Sequence, residues 1–290
     1  MNQKSYDNSP SVYIIPTPIG NMEDITLRAL RILKEVDIIF AEDTRTSKIL
    51  LKHYDINTKI TSSHLFNEEK TRYKAISYLE KGQSIAVISD QGTPVISDPG
   101  YLIVKEAINE GYNVICLPGA TAVIPAVVMS GLAGGPFTFY GFLNSKETKR
   151  KKELEQLKQN KYPIVFYESP HRLTKTLKNL LEVFGNRKVS LAREISKKYE
   201  EIIRDSLENV INKIELIKGE IVIVVDGNKE VQKFENISII KHIELYIEEG
   251  LTSKEAIKKV AKERNIPKSE VYNKYLIHKD KKSKNWLLNI

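Results

Sequence analysis

The chain is poor in the residues and motifs that mark several protein classes. Its 290 residues include a single cysteine, Cys116, so no internal disulfide and no cysteine-based metal site can form. The five histidines (His53, His64, His171, His242 and His278) show no paired ligand spacing, and no metal centre is expected. No apolar run approaches the roughly 18–20 residues that cross a membrane. The opening residues, MNQKSYDNSPS, lack the apolar core of a secretory leader. Together these absences point to a cytoplasmic protein with no membrane association. The phosphate-cradling G-x-x-x-x-G-K-[ST] is missing, as are the G-x-S-x-G elbow of α/β hydrolases and the G-x-G-x-x-G dinucleotide fingerprint. A nucleotide-like cofactor would therefore have to be held by a different set of loops.

Hydrophobic residues make up 41% of the chain and charged residues 28%, which suits a globular protein with a sizeable core. The net charge of +8 permits an acidic partner such as nucleic acid. Its distribution is more informative. Residues 229–290 hold 14 Lys/Arg against 9 Asp/Glu, and residues 146–161 hold seven against three. Either patch alone reads equally as a solvated helical face; the two together favour nucleic acid.

Strand and helix signals alternate. Short apolar runs at 12–15, 38–41, 58–61, 85–88 and 113–117 read as strands, and amphipathic segments at 24–36, 44–54, 68–81, 101–111 and 121–131 read as helices. This alternation predicts a mostly parallel sheet covered on both faces. Asn21 or Asp24 is the expected cap of the first helix. The 121–131 segment is rich in Ala and Val and is expected to be buried. GLAGGP at 131–136 is the best hinge in the chain. Strands at 137–141, 163–167, 189–192 and 218–227, with helices at 146–160, 173–184 and 206–217, suggest a second unit built on a mixed sheet. Beyond Asn228 only helices are expected, at 239–249, 252–265 and after Pro267, in an order that reads equally as a helix-turn-helix or as a plain three-helix accessory. The domain reading is thus a disordered tail at 1–10, α/β units at 11–133 and 134–228, and a helical unit at 229–290.

Three loops stand out, each following a strand: PTPIG at 16–20, SDQGTPVISDPG at 89–100, and PGATA at 118–122. The middle one has two Asp, two Pro and two Gly, more turn chemistry than a connection needs. All three should open at one edge of one sheet, where α/β proteins bind ligands.

At this point the sequence resembles the tetrapyrrole methylase superfamily, and within it the enzymes that methylate the ribose 2′-hydroxyl of a cytidine in 16S ribosomal RNA. The resemblance covers nearly the whole chain. It is carried by PTPIGN at 16–21, DITLRAL at 24–30, AEDTR at 41–45, the 89–100 loop, LPGATA at 117–122, GFL at 141–143, FYESPHR at 166–172, LARE at 191–194 and KGEIVIVV at 218–225. It implies two α/β domains with a cofactor cleft between them plus a small C-terminal helical domain. It also implies S-adenosylmethionine as methyl donor, a homodimer, and 16S rRNA within the small ribosomal subunit as substrate. Donor-binding residues carried over by position are Pro18, Ser89, Asp90, Gly92, Thr93, Val95, Thr121 and Ala122, with Phe142 and Ala192 from the second unit. Candidates for proton transfer or RNA contact at the strand ends are Glu42, Asp43, Arg45, Glu168, His171, Arg193 and Glu194. Each has a structural alternative, as a helix cap or an ion-pair partner.

The chain departs from the family pattern at three places. Gln91 stands where the family usually has Ala, Ala120-Thr121 replaces a Pro-Ser-like pair, and Phe66 replaces a histidine. Two other readings remain open at this stage: a methylase of tetrapyrroles or another small molecule, and a ligand-sensing nucleic-acid-binding protein.

Overall fold

The structure, a computed structural model, describes residues 3–5, 7–214, 218–229, 237–264 and 266–287, with side chains described up to 278. Two five-stranded sheets organise it. The first contains β1 (Ser11–Ile14), β2 (Ile38–Ala41), β3 (Ile60–Ser62), β4 (Ile85–Ile88) and β5 (Asn113–Cys116) in the order β3-β2-β4-β1-β5, all parallel. The strands β2 (IIFA) and β4 (IAVI) are buried at every position because both faces of the sheet are covered.

Side-chain alternation separates the two faces. Ile39, Ala41, Ala86 and Ile88 pack on one side with Ala29, Ile32 and Leu33 of α1 (Leu27–Glu35) and Leu51 of α2 (Thr44–His53). Ile38, Phe40, Ile85 and Val87 pack on the other with α3 (Glu68–Leu79) and α4 (Tyr101–Asn109). This is a doubly wound sheet, and the loops that matter leave the carboxyl ends of its strands.

The second sheet holds β6 (Thr138–Phe142), β7 (Ile164–Glu168), β8 (Lys188–Arg193), β9 (Glu201–Ser206) and β10 (Ile221–Val225) in the order β6-β7-β10-β8-β9. Only β6 and β7 pair in parallel. One face packs on α6 (Glu147–Leu157), α7 (Pro170–Phe184) and α8 (Leu207–Lys213). The other receives Val123, Ala126 and Val127 of α5 (Val123–Ser130) against Val165, Ala192, Val222 and Val224. A separate apolar cluster joins α9 (Ile239–Glu248), α10 (Ser253–Glu263) and α11 (Lys268–Leu287). Thr252 and Glu255 form a capping box at the start of α10.

Several expectations are corrected. The first helix is split: Asn21 caps a short 3-10 turn at Met22–Asp24, and Thr26, not Asp24, caps α1 through the Ala29 amide at 3.1 Å. Helix α5 is buried on one face only, since Ile124 and Val128 are 50% and 72% exposed. It packs on the second sheet, in a cluster that also takes Ile19, Ala120 and Ala122 from the loops of the first. The charged stretch before 206 contains an unexpected edge strand, β9, paired with β8 along its length.

The described residues of the expected tail are tied to the sheet edge. Gln3 exchanges hydrogen bonds with the Val114 backbone, and the Asn113 amide donates to Lys4, Asp7 and Ser9. Residues 215–217, expected in a helix, and Asn265 lie outside the described residues.

Candidate active site

The three turn-rich loops meet at the carboxyl edge of the first sheet. Thr17 and Gly92 exchange backbone hydrogen bonds at 2.9 and 3.0 Å. The Thr17 hydroxyl donates to the Ser89 carbonyl at 3.2 Å, and the Thr93 hydroxyl to the Ala120 carbonyl at 3.3 Å. Gly119 permits this contact, because a Cβ there would lie 2.7 Å from the Pro16 side chain. Gly92 has φ +77°, in the left-handed region that glycine adopts without steric cost. Val95, a β-branched residue, also has a positive φ of +81°, a costly conformation held by the loop around it.

Between this edge and the second sheet lies a cleft of about 760 Å³. One wall is built by Glu42, Asp90, Gly92, Thr93, Asp98, Thr121 and Ala122. The other comes from Phe137, Phe139, Phe142, Tyr167, Glu168, Glu220 and Val222. Five acidic residues line it and, among the described lining residues, no lysine or arginine does. Burial pushes the Glu42 and Asp90 carboxyls above their ordinary range. It pushes Asp98 to about 6, with the nearby Glu42 charge adding and a hydrogen bond from Ser89 opposing. Asp90 is fixed by two amides: the Asp43 amide donates to its carboxylate at 3.2 Å, and its own amide faces Glu42 at 3.4 Å. Burial likewise raises Tyr167, whose ring packs 5.4 Å from that of Phe142. The result is an aromatic, apolar slot with a surplus of negative charge, a chemical match for a cation carrying a flat ring.

A smaller pocket of about 180 Å³ lies on the other side of the Ser89-Asp90-Gln91 turn. Pro18, Met22, Ser47 and Leu50 line it together with that turn.

The residues singled out in the sequence are therefore distributed over several places. Asp90, Gly92, Thr93, Thr121, Ala122 and Phe142 share the cleft with Glu42 and Glu168. Pro18 and Ser89 face the smaller pocket, and Asp90 borders both. Val95 packs toward the first core and Ala192 into the second. Asp43 and Arg45 pair at 2.6 Å outside the cleft, where the guanidinium, by hydrogen bonding, holds the Asp43 carboxyl down to about 2. Asp43 also caps α2. Arg45 remains 90% exposed.

The carboxylate of Glu168 is engaged on every side. It accepts from the Ser169 amide at 2.8 Å and the Thr176 hydroxyl at 2.5 Å, and lies 3.3 Å from Arg172. His171 is exposed on the first turn of α7. Arg193 is bound to Glu201 at 2.6 Å across β8 and β9. Glu194 accepts from Lys197 and the Glu220 amide, both at 3.0 Å. Neither reaches the cleft.

Sequence reasoning missed Asp98 and Tyr167. Both sit inside recognised motifs, and the signal was available. Asp98 is a second acid in a loop already assigned to the site, and Tyr167 alternates with the core residue Phe166 on β7.

The chain is similar to known proteins over most of its length. The family described as Tetrapyrrole (Corrin/Porphyrin) Methylases matches residues 11–211. The Ribosomal RNA small subunit methyltransferase I of Bacillus subtilis (strain 168) is 48% identical over 274 residues, covering 92% of this chain and 94% of that protein. The protein of the same name from Halalkalibacterium halodurans is 47% identical over 283 residues, covering 94% and 98%. Among solved structures, the methyltransferase CobJ superposes with a TM-score of 0.58 at 18% identity, over 76% of this chain and 95% of that one. A uroporphyrin III C-methyltransferase from Thermus thermophilus gives 0.54 at 20% identity, over 77% and 100%. At these identities the structural likenesses speak for the fold.

Proposed function

The chain belongs to the tetrapyrrole methylase family, and from that premise we propose that it is an S-adenosylmethionine-dependent methyltransferase of small-subunit ribosomal RNA. On this reading it methylates the ribose 2′-hydroxyl of a cytidine in 16S rRNA. It acts on the small ribosomal subunit, as a homodimer, in the cytoplasm. The observation that carries the proposal is the 47–48% identity, over more than nine-tenths of this chain, to proteins named for that RNA.

The cleft fits the cofactor. Its volume is within the ordinary range of about 300–1,000 Å³ for small-molecule sites. Bound there, the cofactor would supply an electrophilic methyl group on a positively charged sulfur. Glu42, Asp90 and Asp98 offset positive charge, Phe137, Phe139 and Phe142 offer apolar surface to a ring, and Gly92 lets backbone approach closely. Most of the rate comes from holding the attacking oxygen in line. Glu42 is assigned to receive the hydroxyl proton. It lines the cleft, burial raises its affinity for a proton, and it directly precedes the half-buried Asp43-Thr44 and the exposed Arg45. Glu168 is assigned to structure, because its oxygens are occupied at the start of α7. Arg45 serves as a phosphate contact, which positions RNA without reading sequence.

The reading as a tetrapyrrole methylase is disfavoured by charge. Tetrapyrroles of the uroporphyrin type carry several carboxylates, and a cleft lined by Glu42, Asp90 and Asp98, none of them ion-paired among the described residues, repels them. RNA avoids this conflict if only the ribose and base enter while the phosphates stay at the basic rim. The test is incubation with methyl-labelled S-adenosylmethionine and small subunits from cells lacking the enzyme. Label in 16S rRNA supports the proposal. Label absent from RNA contradicts it.

A further inference from the structure

The turn between β3 and α3 does something the site has not used. It is tightly built. The Ser63 amide donates to the Ala41 carbonyl at 2.7 Å, the His64 amide to the Asn67 side chain at 2.8 Å, and the Asn67 amide to the His64 carbonyl at 2.9 Å. The Ser63 and Thr71 hydroxyls bond at 2.9 Å. Directly after it, Glu68 is buried and accepts from the Gly100 and Leu102 amides, both at 2.9 Å. The turn is thus anchored beside Ala41–Glu42 on one flank and beside Asp98–Gly100 on the other, and Glu42 and Asp98 both line the cleft.

This rigid turn holds its two apolar side chains outward, Leu65 at 70% exposed and Phe66 at 98%. A phenyl ring fixed in solvent by an ordered backbone lacks the covering surface that folding would normally provide. Exposed cationic side chains lie on the neighbouring elements. Arg45 is 90% exposed one strand away, and Lys48 and Lys70 are exposed on the adjoining helices.

We propose that Phe66 is a stacking platform for an unpaired base of the RNA strand that presents its ribose to the cleft. The inference rests on the reading of the protein as an RNA methyltransferase. An exposed ring in edge contact only with His64 (centroids 6.1 Å), on a turn whose neighbouring elements carry exposed cations, fits a splayed-out base, whose face stacks on an aromatic while its phosphates meet Arg45 and Lys48. It fits a second protein copy less well, because the exposed apolar surface of the turn is limited to Leu65 and Phe66 and the residues that follow, Asn67, Glu69 and Lys70, are polar. Stacking of this kind accepts any base, so Phe66 fixes register and supplies affinity without reading the sequence.

The experiment uses the full chain, small subunits lacking the modification and labelled S-adenosylmethionine. In Phe66→Ala the KM for subunits should rise about 5- to 150-fold, the loss that removing one base–aromatic stack produces. The kcat and the cofactor affinity should stay within about twofold. Phe66→Trp should restore the wild-type KM, and its added indole emission, measured against the wild type, should be quenched when subunits bind. Phe66→Leu keeps apolar bulk without a π-face and should behave like the alanine variant. At 98% exposure none of these changes disturbs packing. If the wild type methylates RNA and Phe66→Ala leaves the KM unchanged, the platform is refuted while the enzyme assignment stands. A change in the oligomeric state of Phe66→Ala would assign the ring to a self-contact and also refute it. No RNA methylation by the wild type would overturn the underlying reading instead.

Discussion

Asp98 should couple cofactor binding to pH. Burial and the charge of Glu42 raise its carboxyl from 3.8 to about 6 in the ligand-free protein. A cation bound in the cleft removes the cause of that rise. If the bound charge returns the group to 3.8, the ionised form binds tighter than the protonated form by about 10 to the power 2.2, or roughly 160-fold, by linkage. The apparent dissociation constant then weakens about ninefold between pH 7 and pH 5, because free Asp98 is about 90% protonated at pH 5. This interval lies below the titration of the ligand's amino group, near 7.7–8.0.

Asp98→Asn imitates the protonated acid. It should bind S-adenosylmethionine roughly 100-fold more weakly at pH 7, with most of the dependence between pH 5 and 7 gone. Calorimetry in two buffers of different ionisation enthalpy adds a check, since the wild type should release protons on binding near pH 5–6. The sign for folding follows from the same shift. In the ligand-free protein the stability associated with protonated Asp98 is fully present below pH 3.8 and is lost as pH rises through about 6, and the asparagine variant lacks this loss. An Asp98→Asn protein with wild-type affinity at pH 7, or an unaltered pH profile, would refute the reasoning.

Three further outcomes are expected. Gly119→Ala forces a Cβ to within 2.7 Å of Pro16 and should destabilise the protein by about 1–3 kcal/mol, with weakened cofactor binding, in denaturant melts and calorimetry. Glu168→Gln leaves Arg172 without its carboxylate and should cost about 3 kcal/mol of stability, while cofactor affinity per folded molecule holds; a variant of full stability but no activity would return Glu168 to the chemistry. Thr252→Ala removes the capping box of α10 and should lower the stability of the helical unit by about 1 kcal/mol, read by amide exchange of that unit, with the cleft unaffected.

The parts that were legible in the sequence share a physical reason. Strands such as IAVI at 85–88 and IVIVV at 221–225 are buried on both faces, so their apolar runs are unbroken and bounded by turn residues. The three loops were legible because a turn that brings backbone to a ligand needs Gly and Pro. The edge strand EIIRDS was not, because it is half exposed and its charges mask the period-two pattern. Helix α5 hid its exposed face because nearly every residue in it is apolar, leaving no contrast to show a stripe. Arg193 and Glu194 were correctly placed at a strand end, but sequence could not show that Glu201 and Lys197 occupy them. Asp98 was overlooked because an Asp before Pro-Gly reads first as a turn residue. The second acid of a loop already assigned to the site was the available signal, and the structure places it in the cleft with Tyr167 and Glu42.

The central claim, methyl transfer to a ribose in ribosomal RNA, is tested most directly by the position of the label. A methylated 2′-oxygen cannot attack the adjacent phosphodiester, so that linkage survives alkali. Alkaline hydrolysis of labelled 16S rRNA should give a single labelled dinucleotide with 2′-O-methylcytidine at its 5′ side. Label recovered in a mononucleotide, meaning a methylated base, would contradict the account.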